Sequence, residues 1–91
     1  MRVLIADDHE AIRMVVKTLV GMYVSSVATV EAYSNGDDLL MALLPERGEV
    51  GLLVLDLSMP GYRRRLDLVR AVFDLRPKLP TLVYTASSSP M

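Results

Sequence analysis

The sequence predicts a single α/β domain built on a doubly wound parallel sheet. Short apolar segments alternate with amphipathic ones in the order β-α-β-α-β-α-β, which is typical of a parallel sheet with helices on both faces. Residues 52–55 form a continuous apolar run, which indicates a central strand buried on both sides. A length of 91 residues leaves room for one domain only, spanning 1–91.

Composition limits the class of protein. Hydrophobic residues make up 52% of the chain, with one Phe and no Trp, so we expect an aliphatic core. A net charge of -1 argues against direct contact with nucleic acid. The absence of Cys excludes a disulfide framework and fits the cytoplasm. The N-terminal apolar run is too short for a signal peptide or a membrane span.

The first half of the chain contains two strands and two helices. A strand at residues 3–6 precedes a helix opened by Asp7 and Glu10, which have the spacing of a capping box. Residues 27–33 mix polar and apolar side chains, which favours an edge strand. The second helix follows Gly36 and ends at Pro45. The predicted apolar face of the first helix consists of Ala11, Ile12, Val15, Val16, Leu19 and Val20.

The second half contains the central strand, a third helix and a last strand. An apolar stripe of Leu66, Val69, Val72 and Phe73 predicts a helix that stops before Pro77. Residues 80–85 are predicted to form the fourth strand. A strand order of 2-1-3-4 places the topological switch between strands 1 and 3, where ligands bind in such sheets.

Three carboxylates are expected at that switch point, Asp7 and Asp8 after strand 1 and Asp56 at the end of strand 3. Two of them about 4 Å apart repel by about 4 kcal/mol at an effective dielectric near 20. Oxygen ligands favour a hard divalent cation, and Mg²⁺ keeps open positions for a phosphate. Asp56 is then placed to attack phosphorus. The hydroxyl of Thr85, on the neighbouring strand, is predicted to contact the phosphate oxygens.

At these residues the sequence resembles the receiver domain of two-component response regulators. The acidic pair after residues 3–6, the segment 56–61 and the segment 82–86 match the family's motifs in order and spacing. The resemblance implies a flavodoxin-like fold. It also implies that Asp56 is the phosphoacceptor, that Mg²⁺ is held by Asp7, Asp8 and Asp56 with the main-chain carbonyl of Ser58, and that Thr85 is the switch hydroxyl.

The resemblance also implies partners. The phosphoryl donor would be a sensor histidine kinase, and the output would be a DNA-binding domain in a longer protein. Two departures stand out. The family's fifth strand, its Lys and the last two helices do not follow the fourth strand, and Lys78 lies at the wrong end of the sheet to replace that Lys. The loop at residues 62–65 carries three Arg and is longer than usual.

Simpler interpretations stay open for several of these residues. The acidic pair is compatible with a helix cap, and His9 fits a surface position in a first turn better than a ligand position. Thr85 is compatible with a simple strand end, and the arginines fit a solvated face.

Three functions are compatible with the pattern. The first is a signalling receiver, which is not an enzyme acting on external substrates. The second is a degenerate receiver used as a phosphorylation-independent dimerisation or docking module. The third, a Mg²⁺-dependent aspartyl phosphatase, is disfavoured because the predicted nucleophile follows the third strand. An unpaired fourth strand further predicts a dimer joined through that strand or the third helix.

Overall fold

The computed structural model describes residues 2–23, 29–58 and 65–84. The strands are β1 (Arg2–Ala6), β2 (Thr29–Tyr33), β3 (Leu52–Asp56) and β4 (Thr81–Tyr84). The helices are α1 (Glu10–Tyr23), α2 (Gly36–Ala42) and α3 (Arg65–Leu75), and a short 3-10 turn covers Pro45–Arg47. The described residues contain no helix that is long and apolar enough to cross a membrane.

The four strands form one parallel sheet in the order β2-β1-β3-β4. This confirms the predicted doubly wound sheet and its strand order, with β2 at an edge. Ile5 of β1 lies beside Val54 of β3, and Asp56 of β3 lies beside Tyr84 of β4. Because the strands are parallel, the carboxyl ends of β1, β3 and β4 meet at one edge of the sheet.

The main core lies between the sheet and the helices α2 and α3. Leu53, Val54 and Leu55 of β3 are all buried, as the continuous apolar run predicted. Truncating a buried leucine of this core to alanine costs about 2–5 kcal/mol. The core cluster on this face consists of Leu4, Ala6, Leu39, Ala42, Leu43, Leu53, Leu55, Leu68 and Val72.

The apolar face predicted for α1 is only partly buried. Val20 is buried, but Val15 and Leu19 keep 55% and 48% of their surface exposed. The reason is that α1 packs mainly against β1 and β2, and among the described residues no other helix covers its outer side. For α3, the prediction is confirmed at Val72, which is buried, and wrong at Phe73, which is 58% exposed. Leu68, which was not part of the predicted stripe, is buried instead, and the side chain of Leu66 lies outside the described part of the chain.

The start of α1 also differs from the prediction. The helix begins at Glu10, and the carbonyl of His9 accepts the first helical hydrogen bond, from the amide of Arg13 at 3.0 Å. Asp7 therefore does not form a capping box with Glu10. Its Oδ1 instead accepts from the amide of His9, two residues later, at 2.7 Å, a local turn that the same residues can form.

Candidate functional site

An acidic cluster lies at the carboxyl-terminal ends of the strands. Asp7 and Asp8 follow β1, and Asp56 is the last residue of β3, its neighbour. Asp7, Asp8, His9 and Asp56 each present one ligand atom, and these atoms lie within 4.8 Å of one another. The structure thus brings together the three carboxylates that the sequence analysis placed at the switch point.

Asp7 is fully buried and held by donors on both of its oxygens. Its Oδ1 accepts from the amide of His9 and lies 3.0 Å from the imidazole Nδ1 of the same residue. Its Oδ2 accepts from the phenol of Tyr84. Burial opposes ionisation of Asp7, but the hydrogen bonds from Tyr84 and His9 outweigh it and hold the pKa of Asp7 below its usual value. Asp7 is therefore ionised at neutral pH.

Asp56 is also fully buried, and its orientation is set by the residue two positions later. The amide of Ser58 donates to Oδ1 at 2.9 Å, and the Ser58 hydroxyl donates to the same oxygen at 2.8 Å. The role predicted for Ser58 was a different one, that of a main-chain carbonyl ligand. The structure shows its amide and hydroxyl orienting the predicted phosphoacceptor, and this contact was not predicted.

His9 lies at the outer rim of the cluster. Its side chain is 54% exposed, as expected for a surface position. Its Nδ1 nevertheless lies 3.0 Å from a carboxylate oxygen of Asp8 as well as near Asp7. The hydrogen bond to Asp7 and the charge of Asp8 raise the pKa of His9. These contacts of His9 were not predicted, although its position directly after the acidic pair was the available signal.

Tyr84 also contacts the acidic cluster, and this contact was not predicted from the sequence. It ends β4, and its phenol reaches Asp7 beyond β1. Burial and the hydrogen bond to Asp7 raise the pKa of the Tyr84 phenol, so it stays protonated and donates. The sequence carries no signal for this contact. In the structure Tyr84 pairs with Asp56 in register, so the two side chains lie on the same side of the sheet.

Several predicted residues are not close to the cluster or cannot be placed. Thr85, the Pro-Gly turn at 60–61 and the arginines at 63 and 64 lie outside the described residues. Lys78 lies in the turn before β4, at the amino-terminal ends of the strands and therefore opposite the acidic cluster, as expected.

The donor set of the cluster fits a hard divalent cation. Carboxylate oxygens within 4.8 Å of one another repel by about 3 kcal/mol per pair at an effective dielectric near 20, and a cation removes this repulsion. Mg²⁺ is commonly held by one or two carboxylates and waters. Nδ1 of His9 already lies 3.0 Å from a carboxylate oxygen of Asp7 and 3.0 Å from one of Asp8, so the oxygen ligands define the character of the site.

The chain shares its fold with solved structures of RcsB response regulators. A structure of RcsB from Salmonella typhimurium has a TM-score of 0.81 and 27% identity, with 96% of this chain and 43% of that chain covered. The isolated REC domain of RcsB from Salmonella enterica serovar Typhimurium with phosphomimetic BeF3- has a TM-score of 0.81 and 27% identity, covering 99% of this chain and 64% of that chain. An RcsB–DNA complex has a TM-score of 0.80 and 27% identity, with coverage of 99% and 44%.

The chain thus spans less than half the length of the RcsB chain in the first of these structures, 43% of it. No curated protein matches the sequence at a significant level. The family model of the response regulator receiver domain matches residues 3–91, which include both strands that carry the acidic cluster. The chain therefore belongs to the response regulator receiver domains of two-component systems.

Proposed function

We propose that this receiver domain accepts a phosphoryl group on Asp56 and uses it to control an output domain. The observation that carries the proposal is the position of Asp56, which is fully buried at the end of β3. One of its oxygens is held by Ser58, and Asp7 and Asp8 lie within 4.8 Å of it. A carboxylate held in this way is pre-oriented for attack on an incoming phosphorus.

The same cluster supports a Mg²⁺ site. Asp7, Asp8 and Asp56 would supply carboxylate oxygens, and the main-chain carbonyl of Ser58 is proposed as a further ligand. When bound, Mg²⁺ neutralises the negative charge on the oxygens of the transferred phosphoryl group. Because Asp7 is ionised and buried, it contributes its full charge to such a site.

The transfer itself exchanges one bond to phosphorus for another. A carboxylate oxygen of Asp56 forms a bond to phosphorus while the bond from phosphorus to the imidazole nitrogen of the donor phosphohistidine breaks. The nitrogen keeps the electron pair and the product histidine takes up a proton. Ser58 holds the attacking carboxylate in place. Thr85 is proposed to hydrogen-bond the new phosphoryl group, and its movement would transmit the change.

The partners follow from the family. We propose a sensor histidine kinase as donor and a DNA-binding output domain in a longer protein, in line with the RcsB–DNA complexes among the structural relatives. This domain itself carries a net charge of -1, so direct contact with nucleic acid is not part of the proposal. The domain turns over no external substrate, and we place it in the cytoplasm.

Phosphoryl labelling tests the proposal. The chain is incubated with acetyl phosphate or phosphoramidate and Mg²⁺, and mass spectrometry locates the label. We expect one base-labile phosphoryl group on Asp56 and none in Asp56→Asn. Asp74→Asn, an exposed carboxylate on α3, is the matched control and should label like the wild type. Labelling of Asp56→Asn to the wild-type extent would reject Asp56 as acceptor.

The same experiment distinguishes the main alternative. A degenerate receiver that acts only as a docking or dimerisation module would remain unlabelled under conditions where Mg²⁺ binds. The hydrogen bond from Tyr84 to Asp7 is the observation that keeps this alternative in view, since it already supplies one donor to the pocket without a cation. Calorimetry on Asp8→Asn, which removes one ligand charge, should show weakened Mg²⁺ binding if the acidic pair is the metal site.

A further inference from the structure

Tyr84 bridges the two sides of the acidic pocket. The strand order places β3 between β1 and β4, so a hydrogen bond from Tyr84 on β4 to Asp7 after β1 passes across the end of β3, where Asp56 lies. The backbone of Tyr84 is anchored beside this point, because its carbonyl accepts from the amide of Leu57 at 2.8 Å. The phenol therefore contacts Asp7 across the end of β3, next to the acidic cluster.

The bond occupies an oxygen that the proposed metal site needs. Oδ1 of Asp7 already accepts from His9, and Oδ2 accepts from Tyr84. A cation held by Asp7 through Oδ2 would draw on the same negative charge that the phenol of Tyr84 now contacts. The phenol and the cation thus compete for the same negative charge in a buried position, where an electrostatic contact is strong.

We propose that Tyr84 is a gate of the acidic pocket, whose hydroxyl holds Asp7 in the metal-free state and leaves it when a divalent cation binds. This inference rests on the proposed Mg²⁺ site. Tyr84 is a positioning residue that touches a metal ligand. Its release on metal binding would free the end of β4, the strand that leads directly into Thr85.

The gate predicts that removing only the hydroxyl tightens metal binding. The test uses the full chain and compares wild type, Tyr84→Phe and Tyr33→Phe by calorimetry with Mg²⁺. Tyr33 is a matched control because its hydroxyl also donates to a carboxylate, Glu31 Oε1 at 2.8 Å, away from the cluster. We expect Tyr84→Phe to bind Mg²⁺ about tenfold more tightly than wild type, the ratio that corresponds to the loss of about 1.4 kcal/mol, and Tyr33→Phe to match wild type.

Ultraviolet difference spectroscopy gives a second readout that a merely structural role would not change. A phenol that donates to a carboxylate absorbs at longer wavelength than one that donates to water. Addition of Mg²⁺ to the wild type should therefore shift tyrosine absorption to shorter wavelength, following the binding curve. The shift should persist in Tyr33→Phe and vanish in Tyr84→Phe.

The outcomes separate the gate from the metal site. Equal Mg²⁺ affinity in wild type and Tyr84→Phe would overturn the gate and leave the proposed metal site standing. A gain in Tyr33→Phe as large as that in Tyr84→Phe would also overturn the gate, because the effect would not be specific to the pocket. No Mg²⁺ binding by any of the three proteins would overturn the metal site and the gate together.

Discussion

Replacement of Asp56 by Asn should make the metal-free domain more stable. Asn has almost the same shape as Asp, and its Oδ1 can keep the two hydrogen bonds from Ser58 that hold the wild-type carboxylate. Its amide group can donate to the neighbouring carboxylates of Asp7 and Asp8. The substitution therefore removes one buried negative charge and leaves the local geometry intact.

The size of the effect follows from the charges around Asp56. Asp7 and Asp8 present oxygens within 4.8 Å of it, and each such pair repels by about 3 kcal/mol at an effective dielectric near 20. The side chain of Asp8 is 32% exposed and lies beside His9, so its share is weakened by solvent and by the imidazole. We expect Asp56→Asn to gain about 1–3 kcal/mol in the free energy of unfolding without metal.

Urea unfolding measures two quantities. In the presence of a chelator it gives the stability change caused by removing the charge, and in Mg²⁺ it gives the stabilisation by the cation. Wild type should gain about 2.7 kcal/mol at a Mg²⁺ concentration one hundred times its dissociation constant, while Asp56→Asn should gain much less at that concentration. Asp74→Asn, an exposed control on α3, should change stability by no more than about 0.5 kcal/mol in either buffer. If the metal-free Asp56→Asn protein is less stable than wild type, repulsion among the three carboxylates does not lower the stability of the domain, and the prediction is wrong.

Three further predictions concern other parts of the domain. The hydrogen bond from Arg2 lowers the pKa of Glu31 to about 2, so Glu31→Gln should cost about 1–2 kcal/mol near neutral pH; urea unfolding should show this cost disappear as pH falls from about 4.3 through the folded-state value. Thr85→Ala should leave Mg²⁺ affinity nearly unchanged by calorimetry but abolish the phosphorylation-dependent conformational change in a longer protein that carries the proposed output domain, and a normal change would reject the switch role. Leu82 is 61% exposed on the edge strand, so light scattering should show a dimer that Leu82→Gln disrupts and Met14→Gln, on α1, does not; a monomeric wild type would contradict the dimer.

The fold and the convergence of the carboxylates were predictable because they depend on general rules of parallel sheets. The apolar run at residues 52–55 could be buried on both faces only in an inner strand. Leu53, Val54 and Leu55 are buried there, and Leu52, at the start of the strand, is half-buried. Once β1 and β3 are neighbours, the residues that follow them must meet at one edge. No long-range detail was needed for the positions of Asp7 and Asp56.

Other features could not be read from sequence patterns. The periodicity of α1 showed which side chains are able to be buried, but not what covers them, and Val15 stays 55% exposed. Asp7 had two possible local partners, His9 and Glu10, and the sequence does not distinguish an early turn from a capping box. The contact of Tyr84 with Asp7 joins residues 77 positions apart, and it depends on the reach of one side chain across a neighbouring strand.

The carboxylates proposed to bind metal and phosphoryl group lie at the ends of buried strands, whereas the residues proposed to respond lie at the end of a more exposed strand. Asp7 follows β1 and Asp56 ends β3. The central residues of both strands are buried, so these carboxylates are held in fixed positions. Tyr84 belongs to β4, where Leu82 and Val83 are 61% and 40% exposed and where fewer buried contacts oppose a movement. A change of charge in the pocket therefore displaces β4 more easily than β1 or β3. For this reason we expect metal binding and phosphorylation to alter the end of β4 first, at Tyr84 and the adjoining Thr85.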